Sequence, residues 1–372
     1  MAVPRAEERI LVLQGGGALG AYQAGAYDAL CAGGQAPSWV AGISIGAINA
    51  ALIAGNPPER RVERLHEFWD AITNASFSGV PGRESGGDAH EILNEFSALA
   101  TALFGRPGFF RPRFPPPPFQ PPGTPGALSL YDTSPLQETL NRLVDFDLLN
   151  NGSVRLSVGA VNVRTGNFSY FDTSHQRLDA RHIMASAALP PGFPPVEIDG
   201  EWYWDGGLLS NTPLDYVLDQ AGSPNRLIFQ IDLFAATGPL PVDLAQVIER
   251  EKDIRFSSRT RLNTTKALQR QALAQAARRL FSRLPKSFAD DPDLITLKEA
   301  TCERAVTVVH LIYRRVSHET HSKDYEFSRL SMLDHWRTGM TDVTETLESS
   351  RWKRRKIESD GTHVFDLTRR RP

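Results

Sequence analysis

The chain contains 372 residues, of which 41% are hydrophobic and 23% are charged, as expected for a soluble globular protein with a sizeable core. Only two cysteines occur, Cys31 and Cys302, which excludes a disulfide framework and indicates a reducing compartment. No run approaches the roughly 18 apolar residues of a membrane-spanning helix, and residues 1–10 lack the apolar segment of a secretory signal. We therefore expect a cytoplasmic protein, without excluding peripheral contact with a membrane surface.

The formal net charge of −2 is unevenly distributed along the chain. Residues 1–246 hold 15 basic and 25 acidic side chains, whereas residues 247–372 hold 26 basic and 18 acidic ones. A shift of this size indicates two regions with different tasks. The sequence therefore predicts a first domain over residues 1–240 and a basic, mostly helical C-terminal extension over residues 241–372.

The first part of the chain alternates twice between a short apolar strand, a tight glycine turn and a helix. The strands are expected at residues 9–14 and 39–43, and the helices at residues 19–30 and 47–54. Alternation of this kind predicts parallel strands covered by helices. We therefore expect a three-layer α/β/α domain of the kind found in hydrolases.

A region rich in proline and phenylalanine, residues 77–126, interrupts this pattern. Nine prolines between Pro107 and Pro125 exclude a helix or a central strand there. Two interpretations stay open for the phenylalanines among them, a tethering loop or an aromatic lid over an apolar substrate. Farther along, the pattern predicts strands at residues 154–163, 167–171, 227–232 and 305–313, and helices at residues 181–188, 242–284 and 327–347.

A glycine-rich turn follows the first strand and opens the first helix. Its residues are Gly15, Gly16, Gly17, Ala18, Leu19 and Gly20. Backbone N–H groups of such a turn converge at the helix N-terminus, where they bind anions. The turn also matches the G-x-G-x-x-G pattern of dinucleotide-binding folds, which requires an acidic residue at the end of the second strand. No carboxylate occurs between Asp28 and Glu59, so the sequence disfavours a dinucleotide site.

A second turn, Gly42-Ile43-Ser44-Ile45-Gly46, stands where that acidic residue would be. The G-x-S-x-G pattern places a serine on a sharp strand-to-helix turn, and Gly42 and Gly46 let the backbone fold without side-chain clashes. Both glycine turns are expected at the same carboxyl edge of the parallel sheet. One would offer a nucleophilic hydroxyl and the other N–H donors for an oxyanion, which acyl transfer requires.

The third motif is Asp205-Gly206-Gly207, because a serine hydroxyl needs a base to accept its proton. An aspartate followed by glycine is by itself a common turn, so its assignment depends on the two preceding motifs. A Ser–His–Asp triad is the competing design, since His310 follows Asp205 in the required chain order. A histidine inside an apolar strand is more often a core residue, and we expect substitution of His310 to leave most of the activity.

Together the three motifs resemble those of the patatin-like phospholipases, over residues 10–234. The resemblance implies that Ser44 is the nucleophile and Asp205 the general base of a Ser–Asp dyad. It implies an oxyanion hole formed by the backbone amides of Gly16, Gly17 and Ala18, with Gly15 supporting the turn. It assigns supporting roles in the motifs to Gly20, Gly42, Gly46, Gly206 and Gly207.

The chain departs from the family pattern at Leu19, where arginine or lysine is often found. The missing cation removes a contact for a phosphate head group and leaves the ester chemistry intact. We therefore expect hydrolysis of a carboxylic ester with an apolar acyl group, without a cofactor. The alternatives are cleavage of hydroxyalkanoate esters or polyesters by the same dyad, and non-catalytic binding of a lipid surface. No metal site is expected, because His318 and His321 lack further ligands at a suitable spacing.

The C-terminal region contains a basic segment, residues 247–286, with eleven basic and three acidic side chains. Such a helical face either binds anionic membrane lipids or pairs with the acidic first domain. Nucleic acid is not expected as a partner, because neither zinc-finger spacing nor an RNA-binding aromatic pattern occurs. Residues 324–329 and 335–336 resemble an extension found in a bacterial subset of the same family, and the sequence does not define the oligomeric state.

Overall fold

The structure of the chain, a computed structural model, describes residues 7–73, 101, 103–220, 225–288, 290–300, 305–314, 324–355 and 362–366. Its strands are β1 (Glu8–Leu13), β2 (Trp39–Gly42), β3 (Arg111–Pro112), β4 (Tyr131–Asp132), β5 (Arg155–Asn162), β6 (Phe168–Asp172), β7 (Val196–Ile198), β8 (Glu201–Asp205), β9 (Arg226–Asp232), β10 (Val306–Ile312) and β11 (Thr362–Asp366). Its helices are α1 (Gly20–Ala32), α2 (Ile45–Ala54), α3 (Arg61–Thr73), α4 (Ser134–Leu143), α5 (Phe146–Asn151), α6 (Ala180–Ser186), α7 (Leu214–Asp219), α8 (Leu244–Phe281), α9 (Pro292–Ala300), α10 (Arg329–Glu348) and α11 (Ser350–Lys353).

Within the described residues, nine strands form one sheet in the order β11-β10-β9-β1-β2-β5-β8-β7, and β6 pairs with β5. Neighbouring strands from β11 to β5 are parallel, whereas β6 and β8 run antiparallel to β5. The chain passes from β1 to β2 on one side and later returns to β9 on the other side of β1. Such a change of direction opens a crevice beyond the carboxyl ends of the strands, where α/β sheets bind ligands.

Side chains of β1 alternate between two hydrophobic cores on the two faces of the sheet. Leu11 and Leu13 pack in the larger core with residues of α1, α2 and α10. Ile10 and Val12 pack in the smaller core with Leu214 of α7. Burial on both faces explains why this strand is a continuous apolar run, and the arrangement confirms the predicted α/β fold with helices covering the sheet.

Helix α10 packs against α1 with the two backbones in close approach. A Cβ atom on Gly25 would overlap the carbonyl oxygen of Trp336, and one on Gly339 would overlap that of Tyr22. Glycine is therefore the residue that fits both contact points. Because α1 begins directly after the glycine-rich turn, the C-terminal part of the chain covers the helix on which that turn depends.

The strands and helices predicted from the sequence are present, with their ends shifted by a few residues; the helix expected at residues 242–284, for example, spans Leu244–Phe281. The hairpin of β7 and β8 was not predicted. Its two-residue turn, Asp199-Gly200, has φ angles of 52° and 83°, and Asp-Gly suits such a turn because both residues must adopt positive φ. Strands β10 and β11 extend the same sheet, and the domain boundary at residue 240 stays a prediction.

A buried carboxylate, Asp172, ties β6 to its neighbours. Arg155 donates to both of its oxygens at 2.7–3.0 Å, and the hydroxyls of Ser157, Ser174 and Tyr216 donate at 2.6, 2.6 and 2.9 Å. Burial alone would raise its pKa, but the bonds from Arg155, Ser157 and Ser174 outweigh burial and lower the pKa to about 2. The network therefore stabilises the fold while Asp172 is ionised.

We expect Asp172→Asn to destabilise the protein by about 2–4 kcal/mol at neutral pH, because the Arg155 guanidinium loses its buried counter-charge. An acid with a lowered folded-state pKa contributes stability above its ordinary pKa and loses it as the pH falls. The difference from wild type should therefore shrink between about pH 4 and pH 2 in urea denaturation curves. Asp147→Asn is the control, since Asp147 pairs with Arg177 at the exposed surface and should cost under about 1 kcal/mol. A difference in unfolding free energy between wild type and Asp172→Asn that stays constant with pH would contradict this interpretation.

Candidate active site

Ser44 occupies the sharp turn between β2 and α2, as predicted. Its backbone angles, φ 57° and ψ −125°, are unfavourable for a residue with a side chain, and such conformations cluster at functional sites. Space for the turn comes from two glycines: a Cβ on Gly42 would overlap the carbonyl oxygen of Gly46, and one on Gly46 would lie 2.5 Å from that of Leu13. The turn places the Ser44 hydroxyl at the N-terminal end of α2.

Ser186, the last residue of α6, fixes the backbone of this turn. The Ser44 N–H donates to both the carbonyl oxygen and the hydroxyl oxygen of Ser186, each at 3.2 Å. The Ser186 hydroxyl in turn donates to the carbonyl of Gly159 in β5 at 2.7 Å. Ser186 was not predicted as a site residue, although it lies in the run of small residues that closes the predicted helix.

Asp205 ends β8 and is 1% exposed. Its Oδ1 accepts the N–H of Gly207 at 2.7 Å, and its side chain lines the same cavity as Ser44. Burial raises the pKa of Asp205 to about 7, although its interactions with Gly207 and Ser44 act in the opposite direction. The structure thus brings together the predicted nucleophile and base, and it keeps the base poised near neutral pH.

The glycine-rich turn lies beside this pair, since a Cβ on Gly15 would be 3.0 Å from the Cβ of Ser44. The Gly15 N–H donates to the carbonyl of Asn211 at 3.1 Å, and the Ala18 N–H donates to the carbonyl of Asp324 at 2.8 Å. The N–H groups of Gly16 and Gly17 have no hydrogen-bond partner within the described part of the chain. These two donors are therefore the ones left for a ligand beside Ser44.

The other motif glycines allow close contacts around the dyad. A Cβ on Gly20 would lie 2.5 Å from Cγ1 of Ile45, and one on Gly206 would lie 2.6 Å from the carbonyl oxygen of Gly159. Asn211 adds a contact that the sequence analysis missed, because its Nδ2 donates to the carbonyl of Gly15 at 2.8 Å. The segment after Asp205 thereby holds the glycine-rich turn.

A chain of buried amides also supports the turn. Gln14 Oε1 accepts the N–H of Leu233 at 2.6 Å, and Gln23 Nε2 donates to the carbonyl of Gln14 at 2.6 Å. Asn49 then links α2 to this chain, since its Nδ2 donates to Gln23 at 3.0 Å and its Oδ1 accepts the indole N–H of Trp69 at 3.1 Å. These interactions join the turn to β9, α2 and α3, so its position is fixed before any ligand arrives.

A cavity of about 360 Å³ opens over the dyad. Its polar end contains Ser44, Asp205 and the glycine-rich turn, whereas the rest of the wall is mainly aromatic. The aromatic lining residues are Phe109, Phe110, Tyr131, Phe193, Phe234, Phe256, Tyr325 and Phe327. A mainly aromatic chamber with Ser44 and Asp205 at its polar end suits a ligand with an apolar body and one reactive polar group.

The proline- and phenylalanine-rich region contributes to this wall only in part. Phe109 and Phe110 are buried in the cavity lining, whereas Phe114 and Phe119 are 94% and 78% exposed. Both interpretations of the region, lid and tethering loop, stay predictions. Its first part, residues 77–100, lies outside the described residues.

His310 does not belong to the site. It lies in β10, where its Nδ1 is 3.7 Å from Oδ2 of the buried Asp232, and it does not line the cavity. No histidine of the described residues lines the cavity over Ser44. Among the same residues, no group of three or more His, Cys, Asp or Glu side chains is arranged to hold a metal ion. The geometry therefore offers Asp205, and not a histidine, as the base next to Ser44.

Comparison with known proteins gives two family matches. One family is described as patatin-like phospholipase and matches residues 11–218, and the other is described as patatin phospholipase and matches residues 254–359. Among curated proteins, none matches the chain.

Two of the solved structures that resemble this chain share 16% sequence identity with it. VipD from Legionella pneumophila aligns with 92% of this chain and 67% of its own, at a TM-score of 0.41. A chain in the structure of full-length SpcU in complex with full-length ExoU, from the type III secretion system of Pseudomonas aeruginosa, aligns with 93% of this chain and 72% of its own, at a TM-score of 0.31.

We expect Asp205→Asn to raise the thermal unfolding temperature at pH 8, because the variant no longer buries a carboxylate. An acid whose folded-state pKa is raised loses stability as the pH rises from its ordinary value, 3.8, to about 7. The advantage of the variant should therefore grow over that range and then level off in thermal melts recorded at several pH values. This trend is opposite to that of Asp172→Asn, which serves as the matched comparison. A variant that is less stable than wild type at pH 8 would contradict the assignment of a raised pKa.

Proposed function

The chain belongs to the patatin-like phospholipase family, and on this premise we propose that it hydrolyses carboxylic esters with an apolar acyl group. The single observation that carries the proposal is that Ser44 and the buried Asp205 line one cavity together with the glycine-rich turn, whose Gly16 and Gly17 N–H groups are left for a ligand. Nucleophile, base and oxyanion donors are the three groups that acyl transfer needs.

In the first step, Ser44 Oγ attacks the ester carbonyl carbon while its proton passes to Asp205. The carbonyl oxygen becomes an oxyanion, which the N–H groups of Gly16 and Gly17 stabilise. One such donor is typically worth about 10²–10³ in kcat. The tetrahedral intermediate then expels the alcohol, which takes the proton from Asp205, and Ser44 carries the acyl group.

In the second step, water attacks the acyl-enzyme. Asp205 accepts a proton from this water, and the same two N–H groups stabilise the second oxyanion. Collapse of the intermediate releases the carboxylic acid and returns the proton to Ser44. A single carboxylate thus serves both half-reactions, which is possible because proton transfer alternates in direction between attack and collapse.

The raised pKa of Asp205 is what makes an aspartate suitable as this base. A carboxylate at its ordinary pKa, 3.8, is a weak proton acceptor, whereas one with a pKa of about 7 is both basic and partly ionised at neutral pH. Burial supplies this shift without a third catalytic residue. The proposed dyad therefore depends on the exclusion of water from the Asp205 carboxyl group.

The cavity supports an acyl chain as the part of the substrate that is bound. Its volume of about 360 Å³ lies toward the lower end of small-molecule sites, roughly 300–1,000 Å³, so we propose substrates with a single acyl chain. Leu19 is fully buried and supplies no cation for a phosphate group. Hydroxyalkanoate esters would use the same dyad, and a series of substrates separates them from simple acyl esters.

Contact with a membrane surface is proposed through the basic helix α8. The charge of this helix is partly paired with α7, since Arg270 contacts Asp219 at 2.6 Å. Arg279, near the C-terminal end of the helix, and Arg283, just beyond that end, are exposed, and they would face anionic head groups. Among the described residues, no helix combines the length and the apolar character required to cross a membrane.

For the membrane contact, we expect vesicles containing anionic lipid to sediment the wild-type protein and to release it at high salt. The double variant Arg279→Glu, Arg283→Glu should sediment less, while vesicles of neutral lipid should retain neither protein. Equal sedimentation of wild type and variant would contradict the membrane contact. The basic side chains would then serve only to pair with acidic side chains within the protein.

For the catalytic proposal, we expect Ser44→Ala and Asp205→Asn to lower kcat on p-nitrophenyl esters by at least about 10³-fold, because each removes a reacting group. In the wild type, kcat/KM should rise with pH and level off above about 7, since Asp205 acts in its ionised form. His310→Ala is the control and should keep most of the activity. Turnover that survives in folded Ser44→Ala would overturn the proposed nucleophile.

A further inference from the structure

A short stretch of the C-terminal part of the chain lies directly against the glycine-rich turn. The carbonyl oxygen of Asp324 accepts the N–H of Ala18 at 2.8 Å. A Cβ on Gly17, whose φ is 55°, would overlap this same oxygen. Tyr325 and Phe327, which follow Asp324, line the cavity over Ser44. Gly17 and Ala18, which are consecutive in the turn, therefore both lie against the carbonyl group of Asp324. Asp324 is 306 positions after Ala18 in the sequence.

Lys252 of α8 holds Asp324 in this position. Its Nζ lies 2.7 Å from Oδ1 of Asp324 and 5.1 Å from the ring centroid of Tyr325. The two charged side chains are 19% and 22% exposed, so water screens this ion pair less than it screens the pairs at the surface. The ion pair and the ring contact fix the residues on either side of the carbonyl that meets Ala18.

The other end of the stretch is fixed to α10. The Glu326 carboxylate accepts the N–H of Ser328 at 2.8 Å, and the Ser328 hydroxyl accepts the N–H of Ser331 at the start of the helix, at 3.2 Å. Phe327 is buried against Phe109, with ring centroids 5.9 Å apart. Anchored at both ends, the stretch is a built part of the cavity wall and contacts the turn through the carbonyl of Asp324.

We propose that Lys252 is a positioning residue for the oxyanion hole, an inference that rests on the proposed function. Lys252 orients Asp324, whose carbonyl binds the Ala18 N–H and thereby aims the N–H groups of Gly16 and Gly17 at the oxyanion. Ala18 then supports the turn and does not donate to the substrate. The C-terminal part of the chain is in this way required for turnover, although it contributes no reacting group.

The test compares Lys252→Met with wild type in the full chain, on the p-nitrophenyl ester with the highest turnover. Displacement of the donors should lower kcat about 10- to 100-fold with little change in KM, because the donors bind an oxyanion that exists only in the transition state. The affinity for a trifluoromethyl ketone with the same acyl chain, which forms an oxyanion on Ser44, should fall by a similar factor. The affinity for the product acid should stay within about twofold.

Two variants separate positioning from a general loss of structure. Arg255→Met removes an exposed ion pair with Glu251 one turn along the same helix, and it should leave kcat within about twofold of wild type. Lys252→Arg keeps a cation near Asp324 and should restore most of the lost kcat. Unchanged or increased kcat in Lys252→Met, or a loss confined to KM, would overturn the proposal.

Hydrogen exchange distinguishes failure of this inference from failure of the proposed function. In the wild type, the Ala18 amide should be protected by its bond to Asp324, and Lys252→Met should accelerate exchange in the peptide that contains residues 14–20. If the wild type hydrolyses none of the esters while Lys252→Met still accelerates the exchange, the proposed ester hydrolase activity is wrong. The support of the turn by Lys252 then stands. Unchanged exchange would refute that support whatever the activity.

Discussion

The parallel pairing of β1 with β2 is the constraint on which the site depends. Leu13 lies opposite Gly42 in this pairing, so the glycine-rich turn and the serine turn leave the sheet side by side. The carbonyl of Leu13 accepts the N–H of Ile43 at 3.2 Å, and only the missing side chain of Gly46 lets α2 approach that carbonyl. A larger residue at either glycine would separate the nucleophile from the donors, even with every reacting group still present.

Asp205 adds a conflict between stability and chemistry to this geometry. Its position opposite Ala160 of β5 puts a carboxyl group where water is excluded, and ionisation there is unfavourable for the fold. In the proposed mechanism, the same exclusion makes the carboxylate basic enough to accept a proton from Ser44. Residues that are optimal for function and costly for stability are common in active sites, and here both effects have one cause, the burial of a single group.

Local features of the site could be predicted from the sequence, whereas contacts between distant segments could not. Short motifs specify the turn at Ser44 and the aspartate at position 205, since glycine spacing and turn chemistry act within a few residues. The hairpin that carries Asp205 was missed although Asp199-Gly200 is a recognisable turn, because its flanking strands are short. The bond between Ala18 and Asp324 has no local pattern at all, since a backbone carbonyl leaves no trace in side-chain identity. The contacts of Lys252 with Asp324 and of Ser186 with Ser44 were missed because the partners lie 72 and 142 positions apart in the chain.

The glycine-rich turn is held from several directions, and this has a consequence for how the two parts of the chain depend on each other. Gln14 binds the backbone after β9 and also donates to the carbonyl of Phe256 in α8 at 3.3 Å. Asp324 reaches the turn from the segment before α10. An oxyanion hole lowers a barrier only if its dipoles are already oriented when charge develops, and here part of that orientation comes from residues beyond 240. In the proposed mechanism, the basic extension therefore belongs to the catalytic unit through its position, independently of any surface that its charge contacts.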